Sequence, residues 1–318
     1  MNKQVSRILE GDLYIGISGI DLEFDDMDLG HGLRLSKTAA HLLTPYMVIF
    51  DTKLKGDQDF PTEGERNPLK RDEDGTRWVD VTKETKVIPG HGEYAITAEL
   101  LIPRKTSLNI SDDPFFLIRW VISLLRIWSA PTASIPVISN KPFSPALLTE
   151  DALLFPFEIK ARGICLESAG GRLITSERLS WVRNCWKSGL ELANKHKELR
   201  LAVEALDQAH FVHDWALGVL LVWAALEGLF SPSRSELRFR VSALIASFLE
   251  SPGAQRRALH NRLTKLYDAR SAAAHERSSV DRKVLLESME LLRRLIIKMV
   301  SNSHVPSKDD LEAGLFGG

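Results

Sequence analysis

Residues 215–226, WALGVLLVWAAL, run twelve positions without one polar side chain, and Glu227 closes the run. A membrane span needs about 20 apolar residues, so a helix of this length has to find its apolar cover inside protein. The surrounding chain supplies it. Ser176 can cap a helix through about Ala193, and a second helical segment begins near Glu198 and leads, with a break near His210, into 215–230. Residues 235–249, 252–275 and 281–301 follow as helices, joined by short connections, which predicts an antiparallel up-and-down bundle.

The first half reads differently. Residues 13–22, 33–35, 46–50 and 94–102 are apolar or alternating runs bounded by turn residues, as strands are. Residues 51–85 are polar and without periodicity, a long exposed loop or hairpin excursion. Residues 114–128 form an apolar helix with Arg119 and Arg126 seven apart on one stripe, where both are expected to snorkel. Pro131, Pro136, Pro142, Pro145 and Pro156 describe an extended connector, with one last strand at 157–161 and a flexible turn at 168–172. The expected fold is α+β: a mixed, strand-rich domain over 1–165, an all-α bundle over 166–304, and a disordered tail over 305–318.

The formal net charge of -1 hides an asymmetry. Residues 1–60 hold ten acids against six Lys and Arg, whereas 251–300 hold eleven Lys and Arg against five acids. A local basic excess of this size suits a polyanion, and it also suits a solvated helix face. Inside that region lies LYDARSAAAHERSS, residues 266–279, which sets Arg270 and His275 at the end of a helix with small residues between them. An imidazole exchanges protons near neutrality, and a guanidinium neutralises a pentacoordinate phosphate. Residues five apart on a straight helix point about 140° apart, so one of the two is expected to leave the regular helix. A purely structural use is open too: Arg270 pairs with Asp268 or Glu276, and His275 caps the helix.

The segments 223–230, 235–249 and 266–275 resemble, in order and spacing, the Apea-like branch of the HEPN superfamily, and the resemblance covers roughly 179–301. It implies an up-and-down HEPN helical bundle in which the Arg-x4-6-His motifs of two protomers meet at a dimer interface as a metal-independent endoribonuclease site without a cofactor. On that resemblance Arg270 and His275 take the motif positions, and Glu227 is the acidic residue that orients them. Where many active members carry Asn, Asp or His after the motif arginine, this chain has Ser271, whose hydroxyl can still donate to a phosphate oxygen. Ser271, Arg262 and Arg277 are the expected RNA contacts. The resemblance further implies an RNA substrate cleaved to a 2′,3′-cyclic phosphate, a homodimer through the bundle, a place in toxin or antiviral-defence systems with an antitoxin or defence-system partner chain, and a sensing or regulatory N-terminal domain. The alternative is a non-catalytic helical module that dimerises or binds a partner protein or nucleic acid.

Other chemistries find no support. Asp21, Glu23, Asp25, Asp26 and Asp28 fail the calcium-loop pattern, since Asp26 stands where the loop needs Gly and Gly32 where it needs Glu, leaving a solvated hairpin. His210 and His213 could hold one side of a metal site but lack a third ligand in the sequence, so helix packing is the simpler use. There is no P-loop, dinucleotide fingerprint, GxSxG elbow or nucleotidyltransferase signature. Cys165 and Cys185 form no CxxC pair, and the N-terminus has no apolar core of signal-peptide length, which together point to a reducing cytoplasm and no membrane.

Overall fold

A computed structural model describes residues 8–43, 47–50, 69–71, 77–79, 85–88, 93–106, 113–143, 151–158, 163–166, 170–230, 237–275 and 280–316. The fold is α+β, with an antiparallel sheet followed by helices. Met1–Ala40 and Ala95–Gly318 form one compact unit, and His41–Tyr94 a second.

The strands are β1 (Leu13–Ser18), β2 (Asp21–Leu22), β3 (Asp26–Gly30), β4 (Leu33–Leu43), β5 (Met47–Phe50), β6 (Leu69–Arg71), β7 (Arg77–Val79), β8 (Thr85–Ile88), β9 (Glu93–Ile102), β10 (Ser134–Ser139), β11 (Leu154–Pro156) and β12 (Leu173–Ile174). In the second unit β5 pairs with β8 and β6 with β7, both antiparallel, so of the loop or hairpin excursion expected over 51–85 it is the hairpin that β6 and β7 form. The main sheet has the order β11-β10-β1-β9-β4-β3. Alternation sends Leu13, Ile15 and Ile17 of β1 and Ala98, Leu100 and Ile102 of β9 into the core. The segment around Pro136, expected as a connector, is an inner strand. It escapes the usual bar on proline because the β1–β10 register shifts between Gly16 and Ser18, opposite that residue, so the missing N–H removes no regular ladder bond. The strand expected at 157–161 lies instead at Leu154–Pro156, and 159–161 fall outside the described residues.

Helices follow as α1 (Pro114–Trp128), α2 (Ser176–Lys195), α3 (Lys197–Ala209), α4 (Trp215–Phe230), α5 (Leu237–Leu249), α6 (Ala254–His275), α7 (Arg282–Ser301) and α8 (Lys308–Phe316). Asp113 caps α1, its carboxylate accepting from the N–H groups of Phe115 and Phe116, and Asp281 caps α7 through Lys283 N. The two-residue parallel ladder of β12 on β2 ends at Ile174, so Thr175 is placed to cap α2 through Arg178 N. Helix α4 packs on α3, α5, α6 and α7, and α5 on α6. A Cβ at Gly218 would meet Leu285 at 2.8 Å, which is why α7 can approach α4 so closely there. No helix among the described residues is long and apolar enough to cross a membrane.

Three further expectations need correcting. First, the division at 165/166 cuts through one continuous core, because α1 packs on α2, α3 and α7. Trp120 of α1 donates its indole N–H to Trp186 O at 2.8 Å, and Trp186 donates to Leu29 O at 2.8 Å, so the bundle is closed by elements from the first half. Second, Arg126 does not snorkel: it is 3% exposed and donates to Asp207, Glu158 and the Ala133 carbonyl, a buried charge made tolerable by two carboxylates. Arg119 stays exposed, 3.8 Å from Asp113. Third, the tail is not disordered over its length. Helix α8 packs on α5, buries Leu311, and receives Arg256 Nη1 on Gly314 O at 3.1 Å.

Candidate functional site

Helix α4 owes its position to its composition. One side buries Val219, Val222, Trp223, Leu226, Leu229 and Phe230. The helix expected to be buried all round nevertheless leaves another side open, with Leu217 58% exposed, Ala224 and Gly228 exposed, and Leu221 and Ala225 half-buried. Those positions recur at helical spacing, so they form one apolar strip that no described residue covers. Glu227 stands at the C-terminal end of it.

There α6 crosses α4 and sets Arg270 against Glu227. Arg270 Nη2 lies 3.1 Å from both carboxylate oxygens and makes a well-aligned hydrogen bond to Oε2. The two side chains are 25% and 19% exposed. Glu227 Oε1 and Arg270 Nε are buried and have no hydrogen-bond partner among the described residues. Unmatched buried polar atoms typically cost about 1–3 kcal/mol each; Oε1 keeps the charge of Arg270 Nη2 at 3.1 Å, while Nε has no acceptor among the described residues.

The floor beneath the pair is aromatic. Tyr267, one helical turn before Arg270, meets Trp223 edge-on with ring centroids 5.3 Å apart, and the Arg270 guanidinium carbon is 5.7 Å from the Tyr267 ring centroid. Trp223 is anchored by its N–H on Ser288 Oγ at 3.0 Å. Burial, reinforced by the negative charge of Glu227 and opposed by Arg270, pushes the Tyr267 hydroxyl above its ordinary value of 10.0. The phenol is therefore neutral at physiological pH and can only donate or accept a hydrogen bond.

His275 is the last residue of α6, at the helix C-terminus as expected, and both members of the motif lie within the helix where one was expected to leave it. Its side chain lies outside what the structure describes, as does the whole of Arg277. Ser271 is half-buried on the turn after Arg270. Arg262 is exposed but ion-paired with Glu287, and neither Asp268 nor any other described carboxylate replaces Glu227 as the partner of Arg270. Asp268 instead binds Arg238 at 2.6 Å. Only part of the basic excess counted in the sequence is met by acids from outside that stretch, Arg270 by Glu227 and Arg294 by Glu250, while Arg256 and Lys298 keep their charge and donate to main-chain carbonyls.

Sequence reasoning missed Tyr267 and Trp223 as the platform of the site. Their signal was present, since Tyr267 stands three residues from Arg270 and Trp223 four from Glu227, spacings that share a helix face. His210, considered above for a metal, is buried with Nδ1 3.0 Å from Ile164 O, while His213 is exposed. No protein-family model, curated protein or solved structure matches the chain.

Proposed function

We propose that the chain is a metal-independent endoribonuclease of the HEPN type, working in the cytoplasm as a homodimer in a toxin or antiviral-defence system. The observation that carries the reading is the Arg270–Glu227 pair, partly open and incompletely bonded, at the end of an apolar strip that nothing described in the chain covers. A second copy seated on that strip would bring two such pairs together. Positions 270 and 275 stand about 140° apart around the α6 axis, so one helix does not turn both toward a single phosphate, whereas two copies of α6 can each supply one. In this mechanism His275 takes the proton of the ribose 2′-hydroxyl or gives one to the departing 5′-oxygen. Arg270 neutralises the phosphorane, Glu227 holds the guanidinium in place, and the product ends in a 2′,3′-cyclic phosphate. Ser271, Arg262 and Arg277 serve as RNA contacts. The sheet-bearing half acts as sensor or restraint, and an antitoxin or defence-system chain is the expected partner.

One observation favours a second reading, a non-catalytic helical module: Arg270 already spends Nη2 on Glu227, and its Nε is buried. Incubating the full chain with total RNA, with and without EDTA, separates the two. Cleavage that persists in EDTA and leaves 2′,3′-cyclic ends supports the nuclease. Intact RNA after prolonged incubation with a protein that is dimeric by light scattering supports the module.

A further inference from the structure

A second cleft, of about 360 Å3, lies between the β3–β4 hairpin and α2, elements that take no part in the Arg270 site. Its floor is Trp186, tied by its indole N–H to Leu29 O. One wall is the hairpin turn. Gly30 pairs with Leu33, and the two residues between them, His31 and Gly32, have φ of 55° and +84°. A two-residue turn of this kind favours Asn or Gly at its first position. Histidine is among the residues that tolerate this left-handed backbone, and the turn directs its ring toward the cleft wall. His31 is exposed, packs edge-on against Trp186 with ring centroids 5.7 Å apart, and makes no hydrogen bond through either ring nitrogen among the described residues.

The other wall is α2. Arg183 and Lys187 stand four apart on one face, with Asn184 and Ser188 beside them. Arg183 has no ion pair among the described residues, and the carboxylate nearest Lys187, Glu191, is 3.9 Å away, beyond hydrogen-bond reach. Two cations against one carboxylate leave the cleft net positive. We propose that this cleft binds a phosphoryl group, as the phosphate monoester of a ligand no larger than a mononucleotide. Side chains four apart on a helix are neighbours, so a guanidinium fork and an ammonium reach the same phosphate, and the His31 ring supplies a third contact from across the cleft. The volume lies at the lower end of roughly 300–1,000 Å3 for small-ligand sites. That suits one phosphoryl with one attached group rather than the successive phosphates of a strand, and Asn184 and Ser188 offer neutral partners for hydroxyls on that group.

Calorimetric titration of the full chain with adenosine 5′-monophosphate tests this, beside adenosine and a short oligodeoxynucleotide without terminal phosphates. The monophosphate should bind at least about tenfold tighter than either control, the difference a charge-assisted phosphate contact supplies. The double variant R183Q/K187Q should lose that preference. So should His31→Gly, in which glycine suits the positive φ and the melting temperature does not fall. No monophosphate binding at millimolar concentration, equal binding of adenosine, tighter binding of the oligonucleotide, or unchanged affinity in R183Q/K187Q would each overturn the assignment. Because none of these residues belongs to α4 or α6, loss of RNA cleavage leaves the result standing, and the converse holds.

Discussion

Replacing Arg270 by lysine keeps the charge and removes the fork, and the structure says how far those two effects separate. The guanidinium gives one nitrogen to Glu227, whose carboxylate is 19% exposed. Arg270→Ala leaves that carboxylate mostly buried without its cation, which costs about 1–3 kcal/mol and lowers the melting temperature by roughly 2–4 °C per kcal/mol or less in a chain this long. Arg270→Lys preserves the ion pair, so its stability should fall by about 1 kcal/mol at most. Activity should divide differently. A point-charge ammonium held by Glu227 has no second rigid donor for the phosphorane, so Arg270→Lys should cleave about 10² to 10³ times more slowly, the penalty typical of losing one transition-state donor, and Arg270→Ala little worse. The assay is single-turnover cleavage of a labelled RNA in EDTA, run beside binding by fluorescence anisotropy at two salt concentrations and a thermal melt of each variant. RNA binding should weaken far less than cleavage does. Near-wild-type cleavage by Arg270→Lys, or equal loss of binding and cleavage in both variants, would refute the reasoning and leave Arg270 a docking or structural residue.

His275→Ala should remove cleavage, by about 10² to 10⁴, while the melt stays within a few degrees of wild type, since alanine is at least as good a helix former as histidine; retained cleavage would dismiss it as the acid–base group. Arg126→Met leaves Asp207 and Glu158 buried together without their cation and should cost about 3–5 kcal/mol by urea denaturation, with much of it restored in the triple variant R126M/D207N/E158Q; a loss under 1 kcal/mol would mean the cluster is less buried than it looks. Burial holds the Glu99 carboxyl above its ordinary 4.5, the Phe143 N–H opposing. A carboxyl that binds its proton more tightly when folded costs stability as pH rises from the ordinary value through the raised one, and the cost persists above it. Glu99→Gln, which keeps an oxygen for Phe143 N, should therefore raise the melting temperature at pH 7 and leave it unchanged near pH 3; equal shifts at both pH values would contradict the burial argument.

The helices were legible because their signals are local. Asp281 caps α7 where the polar cluster ends, and the period of apolar residues in α2 to α7 is carried by neighbours within two turns. The strand β10 was not, since prolines read as breakers unless one knows that β10 itself bulges at Pro136, where residues 135 and 136 face Ile17 alone. Arg126 was misjudged for a similar reason: its partners stand 32 and 81 residues away, and a stripe of one helix says nothing about carboxylates arriving from elsewhere. At the candidate site the resemblance set Glu227 beside Arg270, 43 residues away, whereas reading the neighbouring residues alone offered Asp268 or Glu276 as the partner. It did not show that no described residue covers the strip beside them, because an all-apolar helix looks the same whether its own chain or another molecule provides the cover.

Trp186 reaches back 157 residues to the Leu29 carbonyl, and Arg293 of α7 reaches back 166 to the carbonyl of Ile127. At synthesis rates of about 5–20 residues per second, the first of these contacts waits roughly 8–30 s after its acceptor has been made. During that interval Leu29 and Trp120 lack the part of their cover that α2 supplies, and apolar surface left open in a nascent chain is prone to aggregate. Translation stopped before α2 would thus leave a sticky product, and the bundle becomes whole only once α7 has been made.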